Sequence, residues 1–207
     1  MTDVLVGGPG AAAPTLVLAH GAGAPMDSPF MTAIAAALAR RGVRVARFEF
    51  PYMRARRAGA GAGHRPPDRQ PVLLDAWREA CAKLGASARL VVGGKSMGGR
   101  MASLIADEVG AAGLVCLGYP FHPPGRPERT RTAHLEALAT PALIVQGSRD
   151  PFGDPEDVTG YRLSPAIAIH WIADGDHDLK PRKASGRTHA DAIAEAADAV
   201  TRFVDGL

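Results

Sequence analysis

The decapeptide over 91–100, VVGGKSMGGR, constrains this chain more than any other stretch. It holds G-x-S-x-G as Gly94, Lys95, Ser96, Met97 and Gly98. The apolar, β-branched run over 89–92 reads as a buried strand, and Met101, Leu104, Ile105 and Val109 then recur at helical spacing. Ser96 therefore falls where a strand turns sharply into a helix, the setting of a nucleophile elbow. Such a turn strains the serine backbone and lifts the hydroxyl out of the sheet. Gly94 and Gly98 have no Cβ, so neighbouring backbone can come close. The helix N-terminus aims free N–H groups at charge developing beside Ser96. A glycine-rich turn with an incidental serine is the competing reading of the pentapeptide alone. Its strand–turn–helix setting and the partners described below favour the nucleophile.

Around this turn, strand and helix signals alternate. Apolar runs at 15–19, 43–50, 113–117, 142–146 and 166–172 read as strands alongside the one entering the elbow, with a further short strand over 3–6. A helix starts with Ser28 as N-cap and Pro29 at its first position, buries Phe30, Ile34 and Leu38, carries Arg40 and Arg41 in its last turn and stops at Gly42. Leu73, Trp77, Cys81 and Leu84 mark a second helix, which Gly85 ends. A short helix near 133–138 and another opened by Asp154 and Pro155 follow. In the last helix Ile193, Ala197, Val200 and Val204 share one face, and Thr188 with Asp191 forms a capping-box pattern. Residues 52–71, rich in Arg, Gly and Pro, and 119–132 read as irregular excursions. The alternation predicts an α/β fold, a sheet of about six mostly parallel strands with helices on both faces. Residues 1–207 read as a single domain.

Bulk properties narrow the function classes. Of 207 residues, 46% are hydrophobic and 22% charged, as in soluble globular proteins. A net charge of +3 is too weak to argue for nucleic acid without a clustered stripe. Arg54, Arg56, Arg57, Arg65 and Arg69 form the one cluster, and such a cluster is usually a solvated loop. Cys81 and Cys116 fall in apolar stretches and read as reduced core residues. The first twenty residues lack a signal-peptide pattern and no apolar run approaches a membrane span. The expected home is the cytoplasm, with no membrane and no nucleic-acid partner; the oligomeric state is left open.

A serine hydroxyl needs a base to take its proton, an acid to orient that base, and donors for the oxyanion. Asp150, in VQGSRDPFG, lies just past the fifth strand, and His177, in DGDHDLK, lies in the loop after the sixth. Both sit at C-terminal strand ends, where catalytic groups of open parallel sheets gather. A turn-capping aspartate and a solvated loop histidine are the bland alternatives. Asp174, Asp176 and Asp178 rival Asp150 but adjoin the histidine, and neighbouring side chains in a loop usually diverge. His170 falls inside a strand, His64 and His122 in earlier loops, His134 and His189 on helices, and His20 before Ser96. The oxyanion donors expected are the N–H groups of Met97 and Ala22, within the loop Gly21-Ala22-Gly23. Tyr52, Met53, Tyr119, Phe121 and His122 are candidate pocket residues, with packing on the sheet edge as the equal alternative. Arg54, Arg56 and Arg57 would favour an anionic substrate. No zinc spacing and no dinucleotide fingerprint is present, so neither metal nor cofactor is called for.

On these residues the chain resembles the α/β-hydrolase superfamily. Within it, it resembles the small dienelactone-hydrolase-like proteins related to testis-expressed protein thirty. LVLAHGAGAPMDSPFM, RFEFPYMRARRAGAGAGHRPPDR, GGKSMGGRMAS, LGYPFHPPGRPERTRTAHL, PALIVQGSRDPFG and HWIADGDHDLKPRK carry the resemblance. It implies a minimal core without a lid and a Ser96, Asp150, His177 triad. True dienelactone hydrolases use cysteine where this chain has Ser96, so their substrate does not carry over. The expected function is a serine hydrolase acting on a small ester, thioester or amide through an acyl-enzyme. The alternative is a non-catalytic hydrolase fold serving as a binding or scaffold module.

Overall fold

Seven strands form one sheet in the computed structural model, which describes residues 4–10, 14–59, 66–85 and 89–207. They are β1 (Val4–Gly7), β2 (Thr15–Ala19), β3 (Arg44–Phe48), β4 (Leu90–Lys95), β5 (Gly113–Leu117), β6 (Ala142–Gly147) and β7 (Ile167–Ile172). Their spatial order is β1-β3-β2-β4-β5-β6-β7. Every pairing is parallel except β1 with β3. The mostly parallel sheet expected from the strand–helix alternation is thus present, with seven strands rather than six. The seventh is β1, the short strand read over 3–6, which lies exposed on the sheet edge and pairs antiparallel with β3. Asp3, read with this strand, lies outside the described residues.

The helices are α1 (Pro29–Ala39), α2 (Pro51–Arg57), α3 (Gln70–Leu84), α4 (Met97–Ser103), α5 (Pro155–Thr159) and α6 (His189–Asp205). Strand residues alternate between two apolar layers, as a period of two requires. Leu16, Leu18, Val91, Val115, Leu117 and Val145 meet Met31, Ile34 and Leu38 of α1 and Ile193, Ala197 and Val200 of α6. Val17, Val92, Leu114, Cys116 and Ile144 meet Trp77 and Leu73 of α3 and Met101 of α4. The expected capping box opens α6, with Thr188 and Asp191 each accepting from the other's backbone. Arg41, past the end of α1, donates to the free carbonyl of Ala37 at 3.0 Å. Cys81 and Cys116 are both buried and free.

The stretch 52–71 is less irregular than its composition suggests. Pro51, which closes the β3 run, also supplies the fixed φ that suits a first helical position, and α2 follows directly. His64 and Arg65 lie outside the described residues. The helix expected near 133–138 is a single 3-10 turn over Ala133–Leu135.

The strand order places the site. The chain runs from β2 outward to β3, then returns across β2 to β4. The order therefore reverses between β2 and β4, and the C-terminal crevice at such a switch point is where open α/β sheets bind ligands. Ala19 pairs with Gly94 there, which sets the loop after β2 beside the turn after β4.

Candidate active site

Ser96 holds φ 51° and ψ −114°, a conformation that non-glycine residues seldom adopt. Two contacts hold the strain in place. Its N–H donates to Leu117 O at 3.0 Å, and its carbonyl accepts from Arg100 N at 3.0 Å. A Cβ on Gly94 would stand 2.3 Å from Ala19 O, and one on Gly98 2.4 Å from the same oxygen. The two motif glycines are therefore what lets the turn press against the end of β2.

His177 bridges the serine and an acid. Its Nε2 lies 2.9 Å from Ser96 Oγ and its Nδ1 2.8 Å from Asp150 Oδ2. Asp150 is buried and accepts from Gln146 Nε2 at 2.8 Å and Phe152 N at 2.9 Å. With donors on both of its oxygens, Asp150 takes the Nδ1 proton as a further acceptor. That leaves Nε2 free to accept from the serine hydroxyl. The Phe152 ring packs 4.2 Å from the imidazole centroid.

Two glycines outside the motif let the His177 loop close. Gly118, at φ +65°, ends the β5 run, and a Cβ there would meet His177 O at 2.7 Å and Nδ1 at 3.3 Å. A Cβ on Gly147, the last residue of β6, would meet Asp176 O at 2.3 Å. Both were missed in the sequence, where their only signal is a glycine closing an apolar strand run.

The rival carboxylates have other partners. Asp174 pairs with Arg182 and Arg149. Asp176 Oδ1 accepts from the N–H groups of Asp178 and Lys180, each at 2.9 Å. Asp178 faces Lys95.

Met97 is the first residue of α4, so its N–H has no partner within the helix. Ala22 lines the same cleft as Ser96. Gly21 lies beneath it, where an added Cβ would be 3.7 Å from Ser96 Cβ. The loop's peptide planes are fixed by the Tyr52 side chain from α2 and by His20 at the start of the loop itself. Tyr52 Oη donates to Ala22 O at 3.0 Å, and His20 Nδ1 lies 2.7 Å from Gly21 O. Phe50 N–H donates to His20 Nε2 at 3.1 Å, so the ring proton sits on Nδ1. Burial keeps the His20 pKa below the ordinary histidine value, which preserves that neutral tautomer.

The cleft above Ser96 measures about 600 Å³ and is lined by Gly21, Ala22, Gly23, Phe30, Lys95, Ser96, Phe152, His177, Asp178, Lys180 and His189 among others. The candidate pocket residues Tyr52, Met53, Tyr119, Phe121 and His122 are all buried and do not line it. Tyr119 donates to Arg131 O, Phe121 packs between Tyr119 and Tyr161, and His122 bonds Asp157. They belong to the packing of α2 and of the loop after β5 on the sheet. The arginines also lie off the cleft. Arg57 pairs with Asp27 and Glu49, and Arg56 packs over the Tyr52 ring. The walls come instead from Phe30 in the first turn of α1, Phe152 and the start of α6. Among the described residues, no group of three or more His, Cys, Asp or Glu is arranged to hold a metal ion, and no helix is long and apolar enough to cross a membrane.

A family model described as an alpha/beta hydrolase domain matches residues 12–205. Among solved structures, an alpha-beta serine hydrolase homologue from Coxiella burnetii is similar at 18% identity and TM-score 0.72, covering 97% of this chain and 90% of its own. A lidless α/β serine hydrolase from Xanthomonas campestris matches at 20% identity and TM-score 0.69, with 98% and 89% covered. A dienelactone hydrolase from Anabaena variabilis matches at 17% identity and TM-score 0.75, with 99% and 91% covered. At these identities the likeness is one of fold.

Proposed function

The chain belongs to the alpha/beta hydrolase domain family, and on that premise we propose that it is a serine hydrolase cleaving a small ester, thioester or amide through an acyl-enzyme. The observation that carries the reading is the hydrogen-bonded line from Ser96 Oγ through His177 to Asp150, in which Ser96 and His177 line the cleft. Within the superfamily the reading sets the chain beside the dienelactone-hydrolase-like proteins related to testis-expressed protein thirty, as one cytoplasmic domain.

In this reading Ser96 Oγ attacks the acyl carbon while its proton passes to His177 Nε2. The oxyanion is held by the N–H groups of Met97 and Ala22. His177 returns the proton to the leaving group, and Asp150 supports the imidazolium through Nδ1–H. Water then repeats the sequence on the acyl-enzyme and frees Ser96. The strained Ser96 backbone presents Oγ without a conformational search, and the carbonyl bonds from Tyr52 and His20 hold the donor loop ready. No step calls for a cofactor.

The test is a fluorophosphonate reaction followed by a screen of acyl esters of varied chain length. Wild-type protein is expected to label on Ser96 and turn over at least one ester; Ser96→Ala is expected to lose labelling and about 10⁴-fold or more in kcat. A folded wild-type chain that neither labels nor hydrolyses any ester overturns the reading in favour of a binding or scaffold module.

A further inference from the structure

Lys95 is a cation in the floor of the cleft. It ends β4 immediately before Ser96, and its side chain is only 8% exposed. Its Nζ lies 3.2 Å from Asp178 Oδ1 and 5.5 Å from the Phe30 ring centroid. An ammonium so buried needs a counter-charge. Burial drives its pKa below the ordinary lysine value, and the carboxylates of Asp178, Asp150 and Asp176 oppose that shift.

The counter-ion is placed quite differently. The Asp178 side chain is 64% exposed, so it can leave for water at little solvation cost while Lys95 cannot. Nor does the loop need this carboxylate to keep its shape. Asp178 N and Lys180 N donate to Asp176 Oδ1, and Asp176 N donates to Lys180 O at 3.1 Å. Leu179 is fully buried, and His189 Nε2 bonds Asp178 O at 2.9 Å. Among the described lining residues Asp178 is the sole carboxylate, against Lys95 and Lys180. A fixed buried cation beside the nucleophile, covered by a replaceable anion at the rim, has the construction of an anion receptor.

We propose that Lys95 anchors an anionic group of the substrate, which takes the place of the Asp178 carboxylate, so that the preferred substrate carries a negative charge close to its scissile bond. The inference rests on the hydrolase reading for its kinetics but not for its binding. It also moves substrate selection from the arginines of α2, which lie off the cleft, to the residue preceding the nucleophile.

Two matched ester pairs test it on the full chain: mono-4-nitrophenyl succinate against 4-nitrophenyl pentanoate, and 4-acetoxybenzoate against 4-methylphenyl acetate. Wild-type protein is expected to favour the anionic member of at least one pair, after correction for intrinsic reactivity, by roughly tenfold in kcat/KM, the scale of a charge-assisted contact. Lys95→Met is expected to bring that ratio near one, and Asp178→Asn, which removes the competing anion, to raise it. An Asp178→Asn variant that slows both members equally marks the pair as a tether and overturns the proposal, as does the absence of any anionic preference in both pairs. Calorimetric titration of glutarate into wild type and Lys95→Met gives a readout independent of turnover. Weaker binding to the variant supports the anchor even if no ester is cleaved, and equal or absent binding to both overturns it.

Discussion

Gln146 Nε2 donates to Asp150 Oδ2 at 2.8 Å, the same oxygen that accepts from His177 Nδ1. Gln146 is the fully buried penultimate residue of β6, and its Oε1 accepts from Tyr119 N at 2.6 Å. One side chain thus joins the end of β5 to the orientation of the acid. Gln146→Leu leaves an oxygen and an N–H buried without these partners. Expected are a stability loss of about 2–4 kcal/mol in urea unfolding and a fall in kcat beyond what the loss of folded protein explains. Unchanged stability and kcat together would show that the amide neither holds Asp150 nor seals Tyr119.

Asp150→Asn should keep the shape of the site and lose its proton logic. The amide offers an N–H where the imidazole needs an acceptor, which favours the wrong tautomer of His177. A fall in kcat of roughly 10³–10⁴ is expected in steady-state assays. Asp176→Asn keeps an oxygen for the N–H groups of Asp178 and Lys180 and should stay within a few-fold of wild type. A larger loss for Asp176→Asn than for Asp150→Asn would reassign the acid.

Gly98→Ala tests the backbone contact behind the elbow. Its Cβ would stand 2.4 Å from Ala19 O and 2.7 Å from His20 O, and neither backbone atom can swing aside. Thermal and urea unfolding should show a loss of about 3 kcal/mol. Gly23→Ala, whose Cβ would meet nothing within 4 Å, should leave the fold's stability nearly untouched.

His134 should make the fold acid-sensitive. Burial, then the nearby Arg100 charge, pushes its pKa from 6.5 down to about 4. Between those values the unfolded chain binds the proton and the folded chain resists it, so stability rises with pH across that window. The penalty is absent above about pH 6.5 and complete below about pH 4. Because the ring is partly solvated, the cost is discounted to about 1–2 kcal/mol. His134→Asn should flatten the wild-type slope over this interval by that amount, read from urea midpoints at stepped pH. Parallel slopes for the two proteins would remove His134 as the cause.

The local grammar of this chain was legible without its fold. Glycines flanking Ser96, a strand before it and a helix after it are short-range facts, and so are the Pro29 start of α1 and the capping box of α6. The alternation of apolar runs was enough for a parallel sheet, because strands covered on both faces must be apolar throughout. The antiparallel β1 escaped that logic, since its edge is exposed and carries little pattern. Which carboxylate lies on His177 was decided by tertiary structure. Ser96, Asp150 and His177 meet only because the ends of β4, β6 and β7 share one edge and because Gly118 and Gly147 let the histidine loop close over them. The cleft wall was decided there too. Tyr52, Tyr119 and Phe121 look like pocket residues in a loop-rich sequence, yet α2 and the loop after β5 turn these side chains inward and bury them, while Phe30 and His189 reach the cleft from helix starts. Sequence spacing reports which residues share a face of one element; which elements bring their faces together is set by strand order and crossover direction, and these are properties of the whole sheet.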